Sequence, residues 1–204
     1  YVQSVMLEPA ALQQDLETLL QTIADVHPSA REGLPAAVSE AAAAAKTQLE
    51  KPRDRGSCAR ILASVLVPLR DAHTALALPR SGETIALPFV WLAEGLVVTA
   101  DAGDLRRGDA IEALAGRDSG ELMALLAAHV PAENQHWLRL QAPGLLTDLG
   151  ILRFLGLCEK TPVAVRIERD GKRIDVEVPA GPIPGPRRKT LPWARLEIDS
   201  QHSL

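Results

Sequence analysis

The chain is poor in aromatic rings, which make up only 3% of its 204 residues: Tyr1, Phe89, Trp91, Trp137, Phe154 and Trp193. A core must therefore come from aliphatic packing, and alanine and leucine together supply nearly a third of the sequence. Rings so few, with no basic residues interleaved, give no stacking platform for single strands, and a net charge of −4 removes the general attraction to phosphate backbones. Nucleic acid is not an expected partner. Cysteine is scarcer still. Cys58 and Cys158 lack any C-x-x-C or Cys/His spacing, so neither a zinc site nor a redox motif is indicated, and spacing alone leaves a single disulfide open. Long apolar runs are missing too. The longest, such as Ile61–Leu69, are too short to cross a bilayer and carry Ser64 and Pro68, so no membrane span is expected. Lysine is outnumbered by arginine 5 to 17, a bias to which no function attaches.

What remains is globular. With 47% hydrophobic residues the chain can bury a sizeable core as one large or two small domains. Tyr1 stands where an initiator methionine would, so a processed or trimmed chain is expected, its targeting segment already removed.

The first 70 residues read as helices. Pro9 suits a first helical turn, and Leu12, Leu16, Leu19, Leu20, Ile23 and Val26 recur at three- and four-residue spacing until His27-Pro28. A second helix runs from about Leu34 through the alanine block Ala41–Ala45 to Leu49. Ser57 is expected to cap a third, with Ile61, Leu62, Val65, Leu66 and Leu69 on its face and Pro68 kinking its last turn. Short connections make a three-helix bundle over residues 1–73 the natural packing.

From Thr74 the period becomes strand-like. Ala75–Leu78 reads as a strand, Phe89–Leu92 and Leu96–Thr99 as a hairpin turning at Gly95, and Asp109–Leu114 as a strand ending at Gly116. Asp118 and Glu121 have the spacing of a capping box that opens a helix through Leu122, Leu125 and Leu126. Beyond Pro131, helical stretches are expected at about Glu133–Leu140 and Leu145–Leu155. The clearest hairpin alternates Val163, Val165 and Ile167 with Arg166 and Glu168, turns at Asp170-Gly171, and returns through Ile174, Val176 and Val178. A Pro/Gly-rich linker, Ala180–Pro186, then leads to Arg187-Arg188-Lys189, read as a solvated linker face, and an apolar segment around Leu191–Ile198. The expected fold class is α+β.

Two segments carry a resemblance. Asp71-Ala72-His73-Thr74, at the exit of the helical part, resembles the Asp-Gly-His-Thr signature of the C-terminal-processing and tricorn-type serine peptidases. The run from Leu105 to Arg117, with Gly108-Asp109, Ile111 and Gly116, is similar to the Leu-x-x-Gly-Asp-x-Ile-x-x-x-x-Gly of bacterial PDZ modules. The stretch from Pro131-Ala132-Glu133-Asn134 to Leu157 resembles an insertion found in some members. The likeness covers roughly residues 8–180 as an ordering of elements. It implies a helical bundle (1–73), then a PDZ-like small β-sheet domain (74–181) with a helical insertion at about 131–157, then a linker (182–204) opening a domain beyond Leu204. Ala72 departs from the signature's glycine. None of the serines lies in a Gly-x-Ser-x-Gly elbow, so the nucleophile is expected in that absent C-terminal catalytic domain, and this chain is expected to be non-catalytic alone.

His73 is the catalytic candidate. A serine hydroxyl needs a base with a pKa near working pH, and the tricorn-type resemblance implies that this histidine serves a serine in the following domain. The plainer reading is that His73 caps helix carbonyls or pairs with Asp71. Leu122, Leu125 and Leu126 are the candidate peptide contacts, in a groove between a sheet edge and the helix Ser119–Ala128, although core packing explains them as well. His129 and His136 stand seven apart but Pro131 breaks any helix joining them, so no metal site is expected there or at His27 or His202, and no cofactor is implied. Trp91 and Trp137 read as core or domain seam before peptide contacts. The expectation is the N-terminal portion of a secreted serine peptidase that presents a peptide or protein substrate, with a stand-alone PDZ-like binding or scaffold module as the alternative. The resemblance implies an extracytoplasmic location, periplasmic or secreted.

Overall fold

A computed structural model of the chain describes residues 6–78 and 80–183. The basic triplet 187–189, the apolar segment 191–198 and His202 lie outside the described residues. Among these the elements run β1 (Met6–Leu7), α1 (Pro9–Val26), α2 (Ala36–Gln48), β2 (Arg53–Asp54), α3 (Arg55–Leu66), β3 (Phe89–Trp91), β4 (Leu96–Val98), β5 (Ala110–Leu114), α4 (Ser119–Ala127), α5 (Gln135–Leu145), α6 (Leu149–Phe154), β6 (Val163–Arg169) and β7 (Lys172–Val178). The fold is α+β, and no described helix is long and apolar enough to cross a membrane.

Helices α1, α2 and α3 enclose one hydrophobic core. Leu12 and Leu16 of α1, Val38 and Ala45 of α2, Leu49, and Val65 of α3 are buried in it. Val26, the last residue of the expected stripe on α1, faces solvent instead. The cap of α3 is Asp54, not Ser57: Asp54 Oδ1 accepts from the Ser57 N–H at 3.0 Å. The second oxygen takes the Ser57 hydroxyl, so one carboxylate satisfies two donors that a serine cap could not. The Ser57 hydroxyl and N–H together hold the Asp54 carboxyl below its ordinary range. The short β1–β2 pairing, Met6 against Asp54, brings Met6 and Leu7 to this cap.

The five-stranded sheet has the order β3-β4-β5-β6-β7, every neighbour antiparallel. Asp170 and Gly171 both adopt positive φ (53° and 72°), the two-residue turn that matches strand twist in the β6–β7 hairpin. The Asp118/Glu121 capping box forms at the start of α4. Beyond it, α5 starts two residues later than expected under an Asn134 cap and runs on through Pro143 to Leu145, while α6 starts at an Asp148 cap. The three helices between β5 and β6 close a second core, with Ile85, Leu114, Leu126, Leu152 and Ile167 at its centre. Ala75–Leu78 is irregular rather than a strand. Its neighbours are Trp137 and Leu145 of α5, which offer no backbone edge to pair with, and Leu76 packs against both cores. Cys58 and Cys158 are free thiols whose pKa burial pushes up, so the disulfide left open by spacing is not formed.

Asp109, from the Gly-Asp pair of the PDZ-like run, is a structural anion. Its side chain is 2% exposed, and its oxygens receive Arg169 Nε and Nη2 at 2.7 Å each and the Arg106 N–H at 2.7 Å. The Arg169 hydrogen bonds outweigh burial and hold the Asp109 carboxyl below its usual range. This pins the start of β5 to the end of β6. Arg169→Ala should lower the urea midpoint at neutral pH by stranding the carboxylate. A depressed carboxyl pKa contributes stability that is complete above about pH 4 and is lost as pH falls through the folded value. The gap between wild type and variant should therefore narrow in acid; a gap of the same size at pH 2 and pH 7 contradicts this assignment.

Candidate functional site

The site grows from the way α3 stops. Pro68 cannot donate to the helix ladder, so Val67–Leu69 tighten into a 3₁₀ turn and Arg70 closes it at a left-handed φ of 51°. The next four residues fold on the Asp71 side chain. Asp71 Oδ1 accepts the His73 N–H at 2.9 Å, Oδ2 accepts the Thr74 hydroxyl at 2.8 Å, and the Thr74 N–H donates to the Asp71 carbonyl at 3.1 Å. An Asp-x-x-Thr sequence is competent to close this turn on its own. The positive φ at the exit falls on Arg70 rather than Ala72, so the alanine in place of the signature's glycine costs no strain.

His73 projects from this turn with its side chain 89% exposed, and its Nδ1 lies 3.3 Å from Asp71 Oδ1. Among the described residues Nε2 makes no hydrogen bond. Asp71 is held strongly ionised, its pKa lowered to about 2, first by the His73 N–H and then by the Thr74 hydroxyl. His27 approaches from the end of α1: its ring is buried, Nδ1 accepts the Ser29 N–H at 3.2 Å, and Nε2 stands 3.4 Å from Asp71 Oδ2, near enough for an ion pair but short of hydrogen-bond geometry. Glu133, in the loop before α5, completes the group by accepting the Ala72 N–H at 3.2 Å. A cavity of about 290 Å³ opens beside it, lined by Ala72, Leu76, Arg80, Trp137 and Leu145. One ionised carboxylate thus faces two imidazoles, one buried and one open to solvent, at the rim of an apolar hollow.

The other candidates are scattered. Leu122 and Leu126 are 1% and 0% exposed in the second core, so neither has surface to offer a peptide, and Leu125 is half-buried. The helix packed along the edge strand β3 is α5, and α4 packs on α5. His129 sits edge-on to Phe154 with Nδ1 at the Leu125 carbonyl, away from the exposed His136. Asp148 is buried, which pushes its pKa up, but the N–H groups of Ser81, Ile151, Gly150 and Gly82 more than offset this; its lone pairs are spent on structure. Sequence reasoning passed over His27 as a helix stop and Glu133 as part of a loop opening. The signal available for both was a polar side chain flanking a proline-broken helix end. No protein-family model matches the chain, and no curated protein matches it.

Burial separates the leucines sharply. Leu122→Ala should lower unfolding stability by about 3 kcal/mol and Leu125→Ala by about 1 kcal/mol, read from urea midpoints. Equal and small losses at both positions contradict a core role for Leu122.

Proposed function

We propose that the chain is the non-catalytic N-terminal portion of a secreted or periplasmic serine peptidase of the C-terminal-processing or tricorn type, in which His73 acts as general base for a serine carried by a following domain. The observation that carries this reading is the Asp71–His73 pair. An imidazole whose Nδ1 rests against an ionised carboxylate while Nε2 stays open has the orientation a serine nucleophile requires. The exposure of His73 lets a second domain reach it. In the step assigned, Nε2 takes the hydroxyl proton as the serine oxygen attacks the peptide carbonyl, and gives it to the leaving amine as the C–N bond breaks. Asp71 stays ionised and stabilises the imidazolium between the two transfers. In this reading residues 1–73 are the helical bundle, 74–181 the PDZ-like domain with its insertion at 131–157, and 182–204 the lead into the catalytic domain.

A second reading, a PDZ-like peptide-binding module without catalysis, is favoured by the space beside β3. This edge strand and α5 flank a hollow of about 350 Å³ lined by Val90, Arg139 and Leu140, and among the described residues Arg139 Nε has no hydrogen-bond partner. An extended peptide added to β3 would set its carboxylate against Arg139.

The chain of 204 residues should take no label from serine-directed phosphonates, and the full-length protein should be labelled. In that protein His73→Ala should lower turnover by at least a thousandfold with the urea midpoint unchanged. Full activity in the variant, or labelling of the 204-residue chain itself, counts against the peptidase reading.

A further inference from the structure

We propose that Asp71, His73 and Glu133 form a binding site for a divalent transition-metal ion, best matched by Zn²⁺. One oxygen of each carboxylate and one imidazole nitrogen lie within 4.8 Å of one another. Zinc bonds of about 2.0–2.2 Å put tetrahedral ligand atoms roughly 3.3–3.6 Å apart. The approach needed is small, and His73 and Glu133 are both exposed enough to turn into it. Three protein ligands with a fourth position left to water is the arrangement of an open zinc site. An imidazole among the donors favours zinc over calcium or magnesium, which take more oxygens.

Two further observations point to a cation. Among the described residues, no lysine or arginine nitrogen lies within 4.0 Å of either carboxylate. Arg70 reaches this loop but donates to the Glu133 carbonyl, at 3.2 Å, rather than to its carboxylate. Second, the His27 side chain is 8% exposed, and its Nε2, which among the described residues makes no bond of hydrogen-bond geometry, stands 3.4 Å from Asp71 Oδ2. Nδ1 is taken up by Ser29, with the hydroxyl at 2.7 Å and the N–H at 3.2 Å, so Nε2 is the ring nitrogen that faces Asp71. A metal-ligating carboxylate is oriented by a polar group behind it. With Asp71 on the metal through one oxygen, His27 stands behind the other.

The ion would join the exit of α3 to the loop before α5, two parts of the chain otherwise linked here by single hydrogen bonds from Arg70 and Ala72. The site stands independently of the peptidase reading. Where that reading also holds, bound Zn²⁺ takes His73 and silences the base.

Isothermal titration of this chain with Zn²⁺, and Co²⁺ absorption in the visible, read the site directly. One ion per chain is expected, with binding lost in His73→Ala and weakened more than tenfold in Glu133→Gln. A hundredfold excess of Zn²⁺ over its dissociation constant should raise the thermal midpoint by roughly 5–10 °C in wild type. Circular dichroism of the variants, whose altered side chains lie at the surface, checks that they are folded. Absence of binding up to millimolar Zn²⁺, or equal affinity in wild type and both variants, overturns the proposal. Loss of metal binding with peptidase activity unchanged in His73→Ala would keep the site and discard the base.

Discussion

Helix α3 belongs to two hydrophobic cores at once, and the rest of the molecule is arranged around that constraint. Ile61, Leu62, Val65 and Leu66 face α1 and α2, whereas Ala63 is buried in the sheet core with Ala59 packed against it. The small side chains on the second face let α6 come close, and Arg60 seals the approach by donating to the Phe154 carbonyl at 2.8 Å. A helix buried on both sides has no freedom to slide, so the point where it ends is fixed in space. Pro68 sets that end at the seam between the two cores. Leu76, eight residues on, still touches both.

Charge accumulates at this seam for a physical reason. The backbone leaving α3 must reverse without a strand or helix to receive its donors, and Asp71 supplies the acceptor that the turn lacks. An acceptor that satisfies two local donors is ionised at all ordinary pH. Once present, that charge draws imidazoles from both sides, His73 from the same turn and His27 from the end of α1. The same carboxylate is therefore a fold determinant and the centre of the candidate site. The Thr74 hydroxyl and the His73 N–H, one on each oxygen, fix the plane of the carboxylate beside which the His73 ring stands.

The local elements were legible because each has a complete local cause. The recurrence of Leu12, Leu16 and Ile23 specifies α1, Asp170-Gly171 specifies the last hairpin, and Asp118 with Glu121 specifies the start of α4. What was not legible depends on partners distant in sequence. Ser57 and Asp54 are both competent caps, and the pairing of β1 with β2 is what sets Asp54 at the start of α3. Ala75–Leu78 has strand-like residues but meets α5 side chains instead of a sheet edge. Leu122 and Leu126 follow a helical period that fits a groove and a core equally; α5, packed along β3, makes them core. Asp71 and His73 could be paired from their spacing, but nothing local announces that His27 and Glu133 converge on them from other elements.

That convergence also limits what the site can be at one time. General-base chemistry needs Nε2 of His73 open and its Nδ1 proton directed at Asp71. Metal ligation through the same ring needs a bare nitrogen turned toward both carboxylates, and an ion of charge +2 beside the ring disfavours the imidazolium on which proton transfer depends. Glu133 distinguishes the two proposed states. Among the described residues its carboxylate accepts one N–H, that of Ala72. Turned away, it leaves the Asp71–His73 pair intact; turned inward, it adds the third ligand atom.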